Sequence, residues 1–234
     1  MRILIIDQCS GSKKYPNELT EFGEDVLDEN SLSELLERDD TLGIEARELY
    51  DGRQQQKIDE AVQMLERNGH DVARYYVSAG FGVVHERDSL PPYEVTFSEM
   101  SNSEIDSRAE QLDIPSDIRD LLQSDSSYDL VYFALGSDYY RSIELEATLE
   151  QLAKDTMAIV FNNEETAEMF QNVVSIPART EDAERFGTIV VALKGVYLKN
   201  LARELGSDEI TDVAEIAEYC RSEQSSQSGF GEFT

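Results

Sequence analysis

Short apolar runs rich in β-branched residues recur along the chain, separated by longer segments in which apolar positions return at helical spacing. The runs predict strands at Ile3 to Asp7, Arg74 to Ser78, Leu130 to Leu135, Ala158 to Phe161, Val173 to Ile176 and Thr188 to Leu193. The intervening segments predict helices over Ile44 to Tyr50, Gln54 to Arg67, Glu104 to Leu112, Ser116 to Gln123, Tyr139 to Lys154, Glu165 to Gln171, Val196 to Leu205 and Asp212 to Arg221. Gly69 supplies a C-terminal stop for the second of these, and Pro115 suits a helix start. Such alternation predicts an α/β fold: a mainly parallel sheet covered by helices, whose strands read as continuous apolar runs because both faces are buried.

Two segments fit the alternation poorly. Asn17 to Asp40 is acidic and weakly amphipathic, and is expected to be a helical insertion or a loop over the preceding motif. Ser222 to Thr234 is dominated by Ser, Gly, Gln and Glu and is expected to be a disordered tail. The 234-residue length suits one α/β domain over residues 1–221 followed by that tail.

Charge changes the picture more than composition does. Forty-nine acidic residues against twenty basic ones give a formal net charge of -29, spread along the whole chain. With lysine scarce, this reads as halophilic adaptation to a salt-rich cytoplasm, the alternative being an acidic interaction surface. The two cysteines, Cys9 and Cys220, form no disulfide framework and point to a reducing interior. No apolar stretch approaches the length of a membrane span, so a cytoplasmic protein without a membrane partner is expected.

Against that acidity, the loop after the first predicted strand stands out. Residues 8–15 read Gln-Cys-Ser-Gly-Ser-Lys-Lys-Tyr, placing a thiol, two hydroxyls and two ammonium groups at one strand end. Ligands bind at the carboxyl ends of parallel strands, and Ser10, Gly11 and Ser12 let backbone amides approach an anion or a planar base, with Lys13 or Lys14 supplying charge. Cys9 is a candidate nucleophile beside those ammonium groups, or a small buried thiol packed at a strand end. In Ala46 to Arg53, Arg47 and Tyr50 stand three apart, and Arg47 suits either a phosphate or carboxylate clamp or an ordinary ion pair with Asp51 or Glu48. In Tyr76 to Val84, Ser78 and Gly80 leave room at a strand end and Phe81 offers an aromatic face. Tyr93 and Glu94 follow a proline turn, with Glu94 a candidate acid or base. Gly136 and Ser137, after the third predicted strand, present amides at the same edge. Ser78 to Gly82 also reads simply as a tight turn.

Several classes are disfavoured. The chain has no Walker-type loop, no dinucleotide-binding glycine fingerprint and no Gly-x-Ser-x-Gly elbow. His70 and His85 lack metal-ligand spacing with either cysteine, so no metal and no cofactor are expected.

Cys9-Ser-Gly-Ser-Lys13-Lys-Tyr15 resembles the Cys-x-x-x-Lys-Pro-Tyr motif in the central domain of archaeosine synthase, which modifies a 7-deazaguanine base in archaeal transfer RNA, with Lys14 in place of the proline. Val77 to Val84 and Pro92 to Val95 are similar to later segments of that domain. The order Cys-Ser-x-x-Lys, Ala-Arg-x-Leu-Tyr-x-Gly, Ser-Ala-x-x-Gly-Val and Pro-Tyr-Glu also resembles small prokaryotic proteins grouped with the peroxide-resistance protein YaaA and the uracil-DNA glycosylase-like fold. The resemblance covers about the first hundred residues and the rest in outline. It implies a three-layer α/β sandwich and a site for a nucleobase, nucleotide or modified base, carrying over Cys9, Lys13, Ser78, Tyr93 and Arg47. The expected protein is a nucleobase- or nucleotide-binding, enzyme-like one in nucleic-acid modification, repair or defence. Lys13 and the loop amides would hold negative charge, Phe81 or Tyr93 would stack on the base, Glu94 would handle protons, and Cys9 would attack an electrophilic carbon if the chemistry is covalent. The competing expectation is a non-catalytic module that senses a nucleotide or binds a protein.

Overall fold

The computed structural model describes residues 1–123 and 127–223. Its strands are β1 (Arg2–Gln8), β2 (Ile44–Glu45), β3 (Asp71–Ser78), β4 (Gly82–His85), β5 (Ser89–Leu90), β6 (Leu130–Ala134), β7 (Met157–Phe161) and β8 (Val173–Ile176). The helices are α1 (Glu24–Glu29), α2 (Leu32–Leu36), α3 (Ala46–Leu49), α4 (Arg53–Arg67), α5 (Asn102–Gln111), α6 (Ile114–Leu122), α7 (Ser137–Ser142), α8 (Leu145–Leu149), α9 (Glu164–Ala167), α10 (Thr180–Arg185), α11 (Val190–Leu205) and α12 (Val213–Cys220). Six strands form one mainly parallel mixed sheet flanked by helices, in the order β4-β3-β1-β6-β7-β8, and β2 pairs with β5 as a separate ribbon. Only β4 runs antiparallel within the large sheet, paired with β3 along its edge.

The alternation of β1 explains the two cores. Ile3 and Ile5 pack with Ile58, Ala61 and Leu65 of α4 and Leu193, Tyr197 and Leu198 of α11. Leu4 and Ile6 face the other way, toward Ile105 and Ala109 of α5 and Ile114 and Ile118 of α6. All four side chains are fully buried, and each contributes about 1.5–3 kcal/mol on removal from water. Against this, α4 and α11 approach closely at Gly195, where a Cβ would lie 2.6 Å from the Lys57 Cβ and 2.8 Å from the Gln54 carbonyl oxygen.

Five of the six predicted strands stand where the apolar runs place them. The sixth does not: residues 190–193 open helix α11. The run misleads because the solvent-exposed Val190 and Val191 sit beside the buried Leu193, so the apolar stretch is one helix face extended by two exposed residues. The segment from Tyr139 to Lys154 is also not one helix, since the chain turns at Glu144, with φ 49°, between α7 and α8. Ile44 and Glu45 are strand, leaving only four residues in α3. The acidic segment 17–40 folds as α1 and α2, tied to the turn at Pro92 by Phe22, whose amide donates to the Pro92 carbonyl at 3.0 Å. Ser222 and Glu223 of the expected tail bond to Arg203 and Arg185, and residues 224–234 lie outside the described residues. No helix among the described residues is long and apolar enough to cross a membrane.

Candidate functional site

The chain leaves β1 for β3 on one side and reaches β6 on the other, so the direction of strand addition reverses between β1 and β6. Such a reversal of strand order, at the carboxyl edge of the sheet, is where doubly wound sheets place ligands. Two contacts tie the loops after β1 and β6 together at this point: the Gly136 amide donates to Gln8 Oε1 at 2.8 Å, and Cys9 Sγ lies 3.1 Å from the Tyr139 hydroxyl. A third contact brings in β3, the Cys9 amide donating to the Val77 carbonyl at 3.0 Å.

Cys9 begins a cluster of aromatic and hydroxyl groups. Ser78, at the end of β3, accepts the amides of Gly80 and Phe81, both at 3.1 Å, which occupies both lone pairs of its oxygen. Its proton is therefore directed to the Tyr93 hydroxyl, 2.8 Å away, which is in turn hydrogen-bonded to the Tyr50 hydroxyl at 2.7 Å. Burial pushes the phenols of Tyr50, Tyr93 and Tyr139 well up, with the nearby Cys9 sulfur adding to it, so all three remain neutral hydroxyls at ordinary pH. The Phe81 ring meets Tyr93 edge-on at 5.0 Å. Gly80 is needed against the other side of that ring, because a Cβ there would lie 2.6 Å from Tyr93 Cε2.

Lys13 closes the cluster on its outer side. Residues 13 and 50 form an isolated antiparallel bridge, with the Lys14 amide donating to the Leu49 carbonyl at 2.8 Å, and this holds the Lys13 ammonium 4.3 Å from the centre of the Tyr93 ring. Partial burial pulls the Lys13 amine down from its ordinary value, opposed by the charges of Cys9, Glu21 and Glu94. Tyr15 donates to Glu21 at 2.7 Å, a bond that raises its phenol to about 12.

The structure thus brings together Cys9, Lys13, Tyr50, Ser78, Gly80, Phe81 and Tyr93, with exposed Glu94 near enough for Lys13 to sense its charge. Ser10 lies in the same loop, its hydroxyl accepting the Ser12 amide at 3.1 Å, and Ser12 is exposed. Gly136 is held by Gln8, while Ser137 is exposed at the mouth of a neighbouring cavity. Arg47 is placed elsewhere. Tyr50 turns inward as the residue capping α3, whereas Arg47 is exposed, pairs with Glu45 at 2.6 Å and lines a cavity with Asp59 and Glu86. Tyr93 is fully enclosed, so half-buried Phe81 is the more accessible ring of the pair.

A second group was not legible from the motifs. At the end of β1, Asp7 is completely buried: Oδ1 accepts from the Gln8 amide, Gln54 and Gln55 at 2.8, 2.7 and 3.3 Å, and Oδ2 accepts from Arg74 at 2.7 Å. The Arg74 guanidinium also binds Asp59 at the rim. Among the described residues, no cluster of His, Cys, Asp and Glu is placed to hold a metal ion.

No protein-family model matches the chain, and no curated protein matches it.

Proposed function

We propose that this is a nucleobase- or nucleotide-binding, enzyme-like protein acting in nucleic-acid modification, repair or defence, its sheet and helices forming a three-layer sandwich of the uracil-DNA glycosylase-like kind. The observation that carries the reading is the Lys13 ammonium held 4.3 Å above the Tyr93 ring, at the rim of a hydroxyl and aromatic cluster where β1, β3 and β6 end. A half-desolvated ammonium in a chain of net charge -29 favours an electron-rich or anionic ligand. Beside it, Phe81 offers a stacking face, and Glu94 is an exposed carboxylate suited to accept from the amide-like edge of a base or to carry a proton.

A second reading, a non-catalytic module that senses a nucleotide or binds a protein, is favoured by one observation. Cys9 is only 2% exposed and its sulfur is engaged by Tyr139, so a ligand reaches it only after that contact opens.

The test is a thermal-shift screen in high-salt buffer against nucleobases, 7-deazaguanines, nucleotides and short single-stranded oligonucleotides. Stabilisation by a base-containing ligand, lost in Lys13→Ala and in Phe81→Ala, is the expected result. No stabilisation by any of them would sink the nucleobase reading. Turnover of the ligand so found, abolished in Cys9→Ser with binding retained, separates covalent catalysis from sensing.

A further inference from the structure

Beyond the Cys9 cluster, a cavity of about 450 Å³ opens at the carboxyl ends of β6 and β7, between Ser137 at the start of α7, helix α9 with Thr166, and Lys194 of α11. Its lining is unusual for this protein. About one residue in five of the chain is acidic, at 49 of 234, and each of the four other cavities described is lined by four carboxylates. This cavity is lined by none, and by two cations, Lys194 and Arg141.

The two cations differ in what they have left to give. Arg141 binds Asp106 at 2.5 Å and the Asn102 carbonyl at 3.1 Å. The Lys194 ammonium makes no hydrogen bond or ion pair among the described residues, whereas Lys57 and Lys199 both bind Glu60, at 2.6 and 2.5 Å. The charge that reaches Lys194 most is that of Asp7. Asp7 cannot neutralise it by contact, because both its oxygens are taken by Gln8, Gln54, Gln55 and Arg74. Burial accordingly pulls the lysine down to about 8, the response of an ammonium without a counter-ion. Two carboxylates outside the lining bond to lining residues: Asp138 accepts from the Ser137 hydroxyl at 3.3 Å, and Asp106 from Arg141. The remaining polar side chains of the lining are the hydroxyls of Ser137 and Thr166 and the amides of Asn162 and Asn163, whose nitrogens already donate to the Ala178 and Phe161 carbonyls at 3.2 and 2.7 Å, so the charge offered to a ligand is that of Lys194.

We propose that this cavity is a binding site for a small oxyanion, a phosphate or a carboxylate, with Lys194 as the principal counter-ion. This site is independent of the nucleobase site, since Cys9, Lys13 and Tyr93 do not line it. An incoming oxyanion would supply the negative partner that Lys194 lacks, in the one described cavity free of the carboxylates that would repel it.

The experiment is isothermal titration of the full chain with inorganic phosphate and, separately, with malonate, in potassium chloride at constant ionic strength. Variants are Lys194→Gln, Lys194→Arg and Thr166→Glu, the last placing a carboxylate in the cavity at a half-buried lining position. Lys154→Gln, in a different cavity, is the control. We expect saturable binding of at least one anion, weakened tenfold or more by Lys194→Gln and by Thr166→Glu, and kept by Lys194→Arg and Lys154→Gln. Preference between the two titrants identifies phosphate or carboxylate as the source. Should Lys194→Gln not fold, Thr166→Glu alone decides. Absence of binding by both anions, or binding unchanged in Thr166→Glu, overturns the proposal. Loss of anion binding with retained stabilisation by bases would leave the Lys13 site standing, and the converse holds equally.

Discussion

Asp7 and Arg74 form an ion pair, 2.7 Å long, in which neither side chain is more than 1% exposed. Ile5 pairs with Arg74 across β1 and β3, and Asp7 lies two residues on, so both charges emerge on the same face of the sheet. Every lone-pair direction of Asp7 that matters is filled by Arg74, two glutamine amides and a backbone amide. Removing one partner of such a pair strands the other charge, which costs about 3–5 kcal/mol. Asp7→Asn should therefore lower the unfolding free energy by that order, whereas Asp59→Asn, at the solvent-facing end of the same arginine, should cost about 1 kcal/mol or less. Guanidinium melts of the two variants compared with wild type check this. Equal effects would mean that Asp59 anchors Arg74 as strongly as Asp7 does.

Gly80 is predicted to be intolerant of even a methyl group. A Cβ would stand 2.6 and 2.7 Å from two atoms of the Tyr93 ring, and that ring is pinned by its bonds to Ser78 and Tyr50. Gly80→Ala should destabilise by about 1–3 kcal/mol, the ordinary cost of overpacking. Combining it with Tyr93→Ala, which removes the obstructing ring, should give a double variant less destabilised than the sum of the two. Additive losses in thermal or denaturant melts would show that the clash is relieved elsewhere.

The central sheet was legible because buried parallel strands need β-branched apolar runs, and β1, β3, β6, β7 and β8 have them. Edge strand β4 was not, since Gly82 to His85 is only half buried and its pairing is fixed by a tight turn from Ser78. The run at 188–193 failed for the opposite reason: composition says β-branched, but the close approach of α4 at Gly195 and the inward spacing of Leu193, Tyr197 and Leu198 select a helix. At the site, the small residues at strand ends located the Cys9, Ser78 and Tyr93 neighbourhood. Sequence spacing could not reveal that Tyr139 meets Cys9 from 130 residues away, nor that Arg47 and Tyr50 diverge at a four-residue helix. The isolation of Lys194 could not be read from sequence spacing, because it is a property of the carboxylates that are missing around it in space.

Both thiols should be nearly inert in the native protein. Cys9 is 2% exposed and Cys220 fully buried, with burial pushing the Cys220 thiol up. In a Cys220→Ala background, labelling of Cys9 by an aromatic disulfide reagent should be at least about a hundredfold slower than in denaturant, because it waits on local opening that costs a few kcal/mol. Tyr139→Phe, which keeps the ring and removes the hydroxyl at the sulfur, should speed it. Native labelling at the denatured rate would mean that Cys9 stands open to solvent.

Lys194 should leave a signature in the pH dependence of stability. Its amine titrates near 8 in the folded protein against 10.5 when exposed, so between those values the unfolded chain binds the extra proton. The lysine is therefore a burden below pH 8, and that burden lifts as pH rises toward 10.5. Lys194→Met removes the titration, so the variant should gain most over wild type near pH 7 and progressively less toward pH 10. The change in the difference should be on the order of 2 kcal/mol once solvent screening is allowed for. Tyrosines and other lysines titrate alike in both proteins and cancel. Denaturant melts at the two pH values, in buffer free of phosphate and carboxylates, make the measurement. A variant-to-wild-type difference independent of pH would show that the Lys194 ammonium is solvated in the folded state. Added phosphate should shrink the advantage of Lys194→Met at pH 7, because an oxyanion beside the lysine stabilises only the charged form.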